Sequence, residues 1–167
     1  MKYAFAAFGA LIMIAGLKAA TPEPIVTEAV VNAPLGDVWK MFTTKEGIES
    51  WMVAKTDIDL RIGGLWRTSY SKDSNLDDDL SIHHTVLAYD PQRMLSFRTI
   101  KAPKNFPFRG AIVKTWTVVY FEAVGESRTK VTSRMLGFGE DDESQRMRKF
   151  FEAGNKTTLD ALVKKFP

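Results

Sequence analysis

Two histidines stand side by side at positions 83 and 84, and the chain has no others. Their surroundings, Leu80 to Tyr89, are rich in β-branched and aromatic residues and read as a strand. Successive side chains of a strand point to opposite faces, so one histidine turns inward and its neighbour outward. The sequence leaves open which of the two takes the inner face. An inward imidazole has two readings. It is a general base or an orienting hydrogen-bond partner, because its charge switches near neutral pH, or it is a buried, hydrogen-bonded core residue without chemistry. Adjacent strand histidines face apart and form no shared metal site, and Asp77, Asp78 and Asp79 read as a solvated loop rather than a cation cage. No metal and no cofactor is expected, since the chain has no nucleophile elbow, phosphate loop, zinc motif or dinucleotide fingerprint.

Hydroxyl groups supply the second set of candidates. Along Val113 to Glu122, Lys114 and Glu122 mark one parity as outer, which puts Thr115, Thr117, Val119 and Phe121 on the inner face. Along Lys130 to Phe138, Lys130 and Arg134 mark the outer parity, which leaves Val131, Ser133 and Met135 inside. An apolar wall carrying a few hydroxyls suits a mostly apolar ligand that must be oriented. The alternative is that Thr115, Thr117 and Ser133 bond locally inside a filled core.

These residues need a scaffold. Ser144 to Phe166 reads as a long amphipathic helix, with Met147, Phe150, Phe151, Gly154, Thr158 and Leu162 recurring at spacings of three and four. Gly154, midway along that face, leaves room for a ligand or for a neighbouring side chain. Acids at Glu140 to Glu143 and lysines at 164 and 165 sit where the helix dipole favours them. The strands that would carry such a helix are Pro24–Val31, Lys55–Leu60, Leu65–Tyr70, Leu80–Tyr89, Met94–Ile100, Val113–Glu122 and Lys130–Phe138. Two short helices, Leu35–Phe42 and Lys45–Trp51, follow the first strand. Gly63-Gly64 and Asp90-Pro91-Gln92-Arg93 supply turn chemistry between strands. Strands followed by one long helix indicate an α+β fold with an antiparallel sheet.

A chain of 167 residues makes one domain with a proper core. It contains no cysteine, which excludes disulfides and thiolate chemistry. Residues 1–20 differ in kind: Met1-Lys2, an uncharged apolar run from Tyr3 to Leu17, and small residues before Pro22 match a secretory signal. Lys18 weakens the cleavage site after Ala20, so an uncleaved membrane anchor is the alternative. The rest, 24–167, is the domain, expected in the periplasm or secreted. Without Lys2 and Lys18 the chain is close to neutral, and no nucleic-acid partner is implied. Lys101, Lys104 and Arg109, with Phe106 and Phe108 between them, read as a solvated loop rather than a phosphate-binding patch.

Val31-Asn32-Ala33-Pro34-Leu35-Gly36-Asp37-Val38-Trp39 resembles the opening of the START-like (SRPBCC, Bet v 1-like) superfamily, in which a strand runs into an "Ala-Pro, Val-Trp" helix. Glu49-Ser50-Trp51, Asp59-Leu60-Arg61-Ile62-Gly63-Gly64 and Asp90-Pro91 before Met94-Leu95 look like the branch named after activators of the heat-shock ATPase. The resemblance covers about Ile25 to Phe166. It implies a helix-grip fold, a curved antiparallel β-sheet wrapped around the long C-terminal α-helix with a cavity between them. Trp51 would then lie near the cavity mouth. The expected function is binding of a small apolar or amphipathic ligand, lipid-like molecules included. The expected ligand-binding residues are Trp51, His83 or His84, Thr115, Thr117, Ser133, Met135, Phe150, Phe151 and Gly154. A polyketide cyclase- or hydrolase-like enzyme using the inward histidine, and a protein-interaction module of the ATPase-activator type, are the alternatives.

Overall fold

The computed structural model describes residues 22–167. The expected signal segment, residues 1–20, lies outside the described residues. The elements run β1 (Ile25–Val31), α1 (Leu35–Thr43), α2 (Lys45–Glu49), β2 (Lys55–Ile58), β3 (Leu65–Ser69), β4 (Ile82–Asp90), β5 (Met94–Lys101), α3 (Arg109–Ile112), β6 (Trp116–Ala123), β7 (Thr129–Leu136) and α4 (Asp142–Lys165). All seven strands form one antiparallel sheet in the order β1-β7-β6-β5-β4-β3-β2. Its curved face holds α4, which makes this the helix-grip arrangement. No helix of the described residues is long and apolar enough to cross a membrane.

Local chemistry explains where the elements start and turn. Pro34 ends β1 and opens α1, whose first turns need no donor from it. The Thr44 hydroxyl accepts from Gly47 N at 3.1 Å and caps α2. Asp141 caps α4, its carboxylate accepting from the Ser144 amide at 3.0 Å and the Ser144 hydroxyl at 2.9 Å. Those bonds hold the Asp141 carboxyl below its usual range. Between β2 and β3, Gly63 adopts φ +77°, and a Cβ on Gly64 would stand 2.0 Å from the Asp59 carbonyl oxygen. Only glycine fits that turn.

One boundary departs from the sequence reading. The β-branched Val113 and Thr115 point to a strand from Val113, yet Arg109–Ile112 forms α3 and β6 begins at Trp116. Glu143, in the first turn of α4, accepts from the amides of Gly110 and Ala111 at 3.2 and 3.3 Å and fixes this short helix. The Thr115 amide and hydroxyl then both donate to the Ile112 carbonyl, closing the turn before the strand. A carboxylate 32 residues away in sequence decided a boundary that local propensity pointed elsewhere.

The apolar interior is in two parts. A larger cluster gathers Val31, Val38, Phe42, Ile48, Trp66, Leu95, Val119, Phe121, Val131, Leu159 and Leu162. A smaller one gathers Ile25, Ala102, Ala111, Ile112, Met135, Phe138 and Met147 under α3. Within α4 the buried residues are Ser144, Met147, Leu159 and Leu162. The helix therefore buries its two ends, while its middle, around Phe150 to Thr158, stands over a gap between the clusters.

Candidate functional site

That gap is a cavity of about 370 Å³. It is bounded by the inner face of β3 to β7, by Trp51 to Val53 after α2, by the loop carrying Ala102, Pro103 and Phe106, and by the middle of α4. Its size falls within the range of small-molecule sites, roughly 300–1,000 Å³.

Register decides the histidines. Trp66, 1% exposed, pairs with His84, while the outward Arg67 pairs with His83. His84 therefore faces the cavity and His83 lies on the outer face, where its Nε2 meets the Leu76 carbonyl oxygen at 2.8 Å. A bulge falls between the two: His83 pairs with Lys101 and His84 with Thr99. Such irregularities re-aim side chains beside sites. The His84 ring packs 5.1 Å from Trp66 and 5.3 Å from Phe97, centroid to centroid. Its Nδ1 lies 3.1 Å from Thr99 Oγ1, and its Nε2 has no hydrogen-bond partner among the described residues. Burial pushes the His84 pKa down to about 4, and the neighbouring His83 adds to the effect. The ring is neutral at pH 7.

Thr117, Ser133, Met135, Phe150, Phe151 and Trp51 all line the cavity. The Trp51 indole N–H donates to the Met41 carbonyl at 2.8 Å, and its ring meets Phe42 edge-on at 5.1 Å. Phe150, 52% exposed, stands at the mouth. Thr115, Gly154 and His83 do not line it. Thr115 is buried in the turn after α3, with its hydroxyl spent on Ile112, because the strand begins one residue later than its alternation requires. Gly154 is not among the lining residues, and Asn155, Thr158 and Leu159 form the wall beside it; a Cβ on Gly154 would meet open space.

Four polar side chains cross the floor in a row. His84 on β4 is opposite Thr99 on β5; Thr117 on β6 is opposite Phe97, two residues before Thr99; and Ser133 on β7 is opposite Val119, two residues after Thr117. The row steps diagonally across four adjacent strands, three inter-strand gaps across and four residues along, and spans roughly 20 Å at the ordinary strand spacing and rise. Thr117 and Ser133 hydroxyls have no partner among the described residues.

Several wall residues escaped the sequence reading. Trp66, Phe97 and Thr99 follow from alternation only after His84 is known to face inward. Phe106 sits in the loop read as solvated. In the structure Phe106 and Phe108 pack edge-on at 5.6 Å, and Phe106 lies 6.0 Å from Phe150, forming an aromatic rim with Phe151. Two of the basic residues of this segment, Lys101 and Lys104, answer nearby carbonyls and an acid. Lys101 Nζ donates to the Asp78 carbonyl at 2.7 Å and Lys104 pairs with Asp79 at 3.5 Å. Asp78 accepts from the hydroxyls of Ser74 and Ser81, which lowers its pKa to about 2. The paired phenylalanines, two residues apart in a proline-bounded loop, were the signal that this segment covers something apolar.

A curved sheet gripping a helix around a lined cavity defines the START-like, helix-grip class of fold. The chain belongs to the family of activator of Hsp90 ATPase homolog 1-like proteins, whose model matches residues 32–166. No curated protein matches it in sequence. Among solved structures, protein MLL2253 from Mesorhizobium loti is 18% identical, with a TM-score of 0.66 over 84% of this chain and 94% of that one. The Aha1 dimer from Colwellia psychrerythraea is 16% identical, with a TM-score of 0.57 over 85% and 91%. Norcoclaurine synthase from Thalictrum flavum, solved with dopamine and hydroxybenzaldehyde, is 11% identical, with a TM-score of 0.57 over 98% and 95%. At these identities the likeness speaks for the fold.

Proposed function

We propose that the protein is an exported binding protein that holds one small, mostly apolar ligand between its sheet and α4. The observation that carries this reading is the cavity itself. It splits the core in two, its wall is mostly aromatic and aliphatic, and His84 Nε2 and the hydroxyls of Thr117 and Ser133 have no partner among the described residues. Close packing is the norm for a core that serves stability alone. The neighbour solved with small aromatic molecules supports the same use of the fold.

Two features weigh against the other readings. A histidine with a pKa of about 4 is a weak base at pH 7, so His84 suits orientation better than proton transfer. A cytoplasmic ATPase partner is out of reach of an exported chain, and export rests on the segment Met1 to Ala20.

Native mass spectrometry of protein purified from its source tests the binding. The expected result is a bound mass that disappears on denaturation and is absent from Ser133→Phe, whose ring fills the floor. A natural chain that is empty in repeated preparations would overturn the reading. Mature protein that begins near Thr21 in the exported fraction is the expected result for localisation; intact residues 1–20 on a cytoplasmic protein would remove that part.

A further inference from the structure

The aromatic rim of the cavity has an outward side. Phe150 is half exposed at the middle of α4, and Phe106 and Phe108 each meet it at 6.0 Å from the proline-bounded loop. Pro107, between those two rings, is exposed, and so is Arg109 after them. On α4 the same strip runs through the exposed Arg146, one turn before Phe150, and the exposed Ala153 and Thr157, one and two turns after it. Apolar groups gathered at a surface within a polar border mark a place where something else covers them.

Charge narrows what that is. Arg109, Arg146 and Lys149 are exposed around the rim and have no ion-pair partner among the described residues. The acids of this end are largely engaged within the fold. Asp141 caps α4, Glu143 accepts from the amides of α3, and Glu152 pairs with Arg148 at 3.1 Å. Glu140 and Asp142 precede Phe150 by eight residues or more, about 12 Å along the helix axis, a distance over which salt screens them. Rings inside a border of unpaired cations suit an anionic bilayer, where the rings enter the headgroup boundary and the cations meet lipid phosphates. A second copy docked rim to rim would instead set the same cations against each other.

The chain also enters the fold at this end. Arg148 donates to the Glu23 carbonyl, and Ile25 shares with Met147 the cluster against which Phe106, Phe108 and Phe151 pack. The apolar run Tyr3 to Leu17 therefore joins the domain beside the rim.

We propose that the face formed by Phe106, Phe108, Phe150, Arg109, Arg146 and Lys149 is a docking surface for an anionic phospholipid bilayer. The proposal stands independently of what the cavity holds. Docking in this pose sets the mouth of the cavity against the membrane.

Vesicle flotation tests this on the chain from Thr21, which keeps the whole sheet, α4 and both core clusters and removes any contribution of residues 1–20. The vesicles are phosphatidylcholine alone, or three parts phosphatidylcholine to one part phosphatidylglycerol. The chain should bind the mixed vesicles in about 0.1 M salt, at least about tenfold more weakly without phosphatidylglycerol, and little in about 0.5 M salt. Arg146→Gln/Lys149→Gln should weaken binding about 25-fold, at about fivefold per cation near a charged surface. Lys164→Gln/Lys165→Gln, at the far end of α4, should leave it unchanged. Phe150→Ser should weaken it about fivefold and keep the salt dependence, as loss of a half-exposed ring requires. Each variant is checked for unchanged circular dichroism, and the lipid and salt comparisons need no variant. No binding to the mixed vesicles, equal binding to both kinds, or equal losses in the two double variants would each overturn the proposal. A dimer in sedimentation velocity that Phe150→Ser dissociates, with no vesicle binding, would overturn it in favour of a second copy.

Discussion

Acidification from pH 7 to pH 4 should destabilise the fold through His84, and replacing that residue by phenylalanine should remove the effect. Burial beside Trp66, Phe97 and Thr99, with a smaller contribution from His83, holds the imidazole at about 4 against 6.5 for the free side chain. Above the higher value the ring is neutral in the folded and the unfolded chain, and His84 adds no pH dependence. Between the two values the unfolded chain binds a proton that the folded chain refuses, so stability falls as the pH falls. Below the lower value both states are protonated and the loss is complete. At about 1.4 kcal/mol per pH unit, the gap corresponds to about 3 kcal/mol, a large part of the 5–15 kcal/mol typical of a domain. Urea unfolding followed by tryptophan emission, at several pH values across this window, measures it directly. Phenylalanine suits the comparison because it keeps an aromatic body against Trp66 and Phe97 and removes only the titrating group. The difference between the natural chain and His84→Phe then isolates one residue. Parallel pH profiles for the two proteins would refute the placement of His84 in a desolvated wall.

Three further substitutions probe the frame around the site. Gly137→Ala should cost about 1–3 kcal/mol, because Gly137 has φ +86° and a Cβ would stand 2.6 Å from the Trp116 ring; a denaturation midpoint at the natural value would contradict this. Thr56→Val should cost about 1–3 kcal/mol, since the Trp66 indole N–H donates to Thr56 Oγ1 at 3.0 Å and would be left buried and unpaired. Gly154→Ala should instead stabilise α4 by about 0.5–1 kcal/mol, because the added methyl meets nothing and a helical glycine is costly; a lower melting temperature would show that the site is not open.

Much of the frame was legible without coordinates because local chemistry sets it. The turn at Gly63-Gly64, the proline turn after β4 and the caps of α2 and α4 each depend on residues a few positions apart. The same holds for the inward parity of Thr117 and Ser133, which follows from the charges that flank them. Thr115 was misplaced by the same alternation, because its strand begins after a helix that Glu143 holds from across the fold. Phe106 was passed over for a related reason. Its loop is interleaved with the basic Lys101, Lys104 and Arg109, and the packing of Phe150 and Phe151 beside it shows the loop to be a cover.

The sequence by itself determined the order and type of the elements other than α3, the polarity of each strand face and the amphipathic character of α4, since all of these follow from periods of two and 3.6 residues. It also determined that one histidine would turn inward. Only the tertiary structure decided which one, because the choice depends on the pairing of β3 with β4 and on the bulge opposite His84. It alone decided that α4 buries its ends and spans a gap at its middle, since a helical stripe specifies an apolar face but not what that face meets. The row from His84 to Ser133 exists in no local segment. Four strands contribute one side chain each, and long-range register brings them into line.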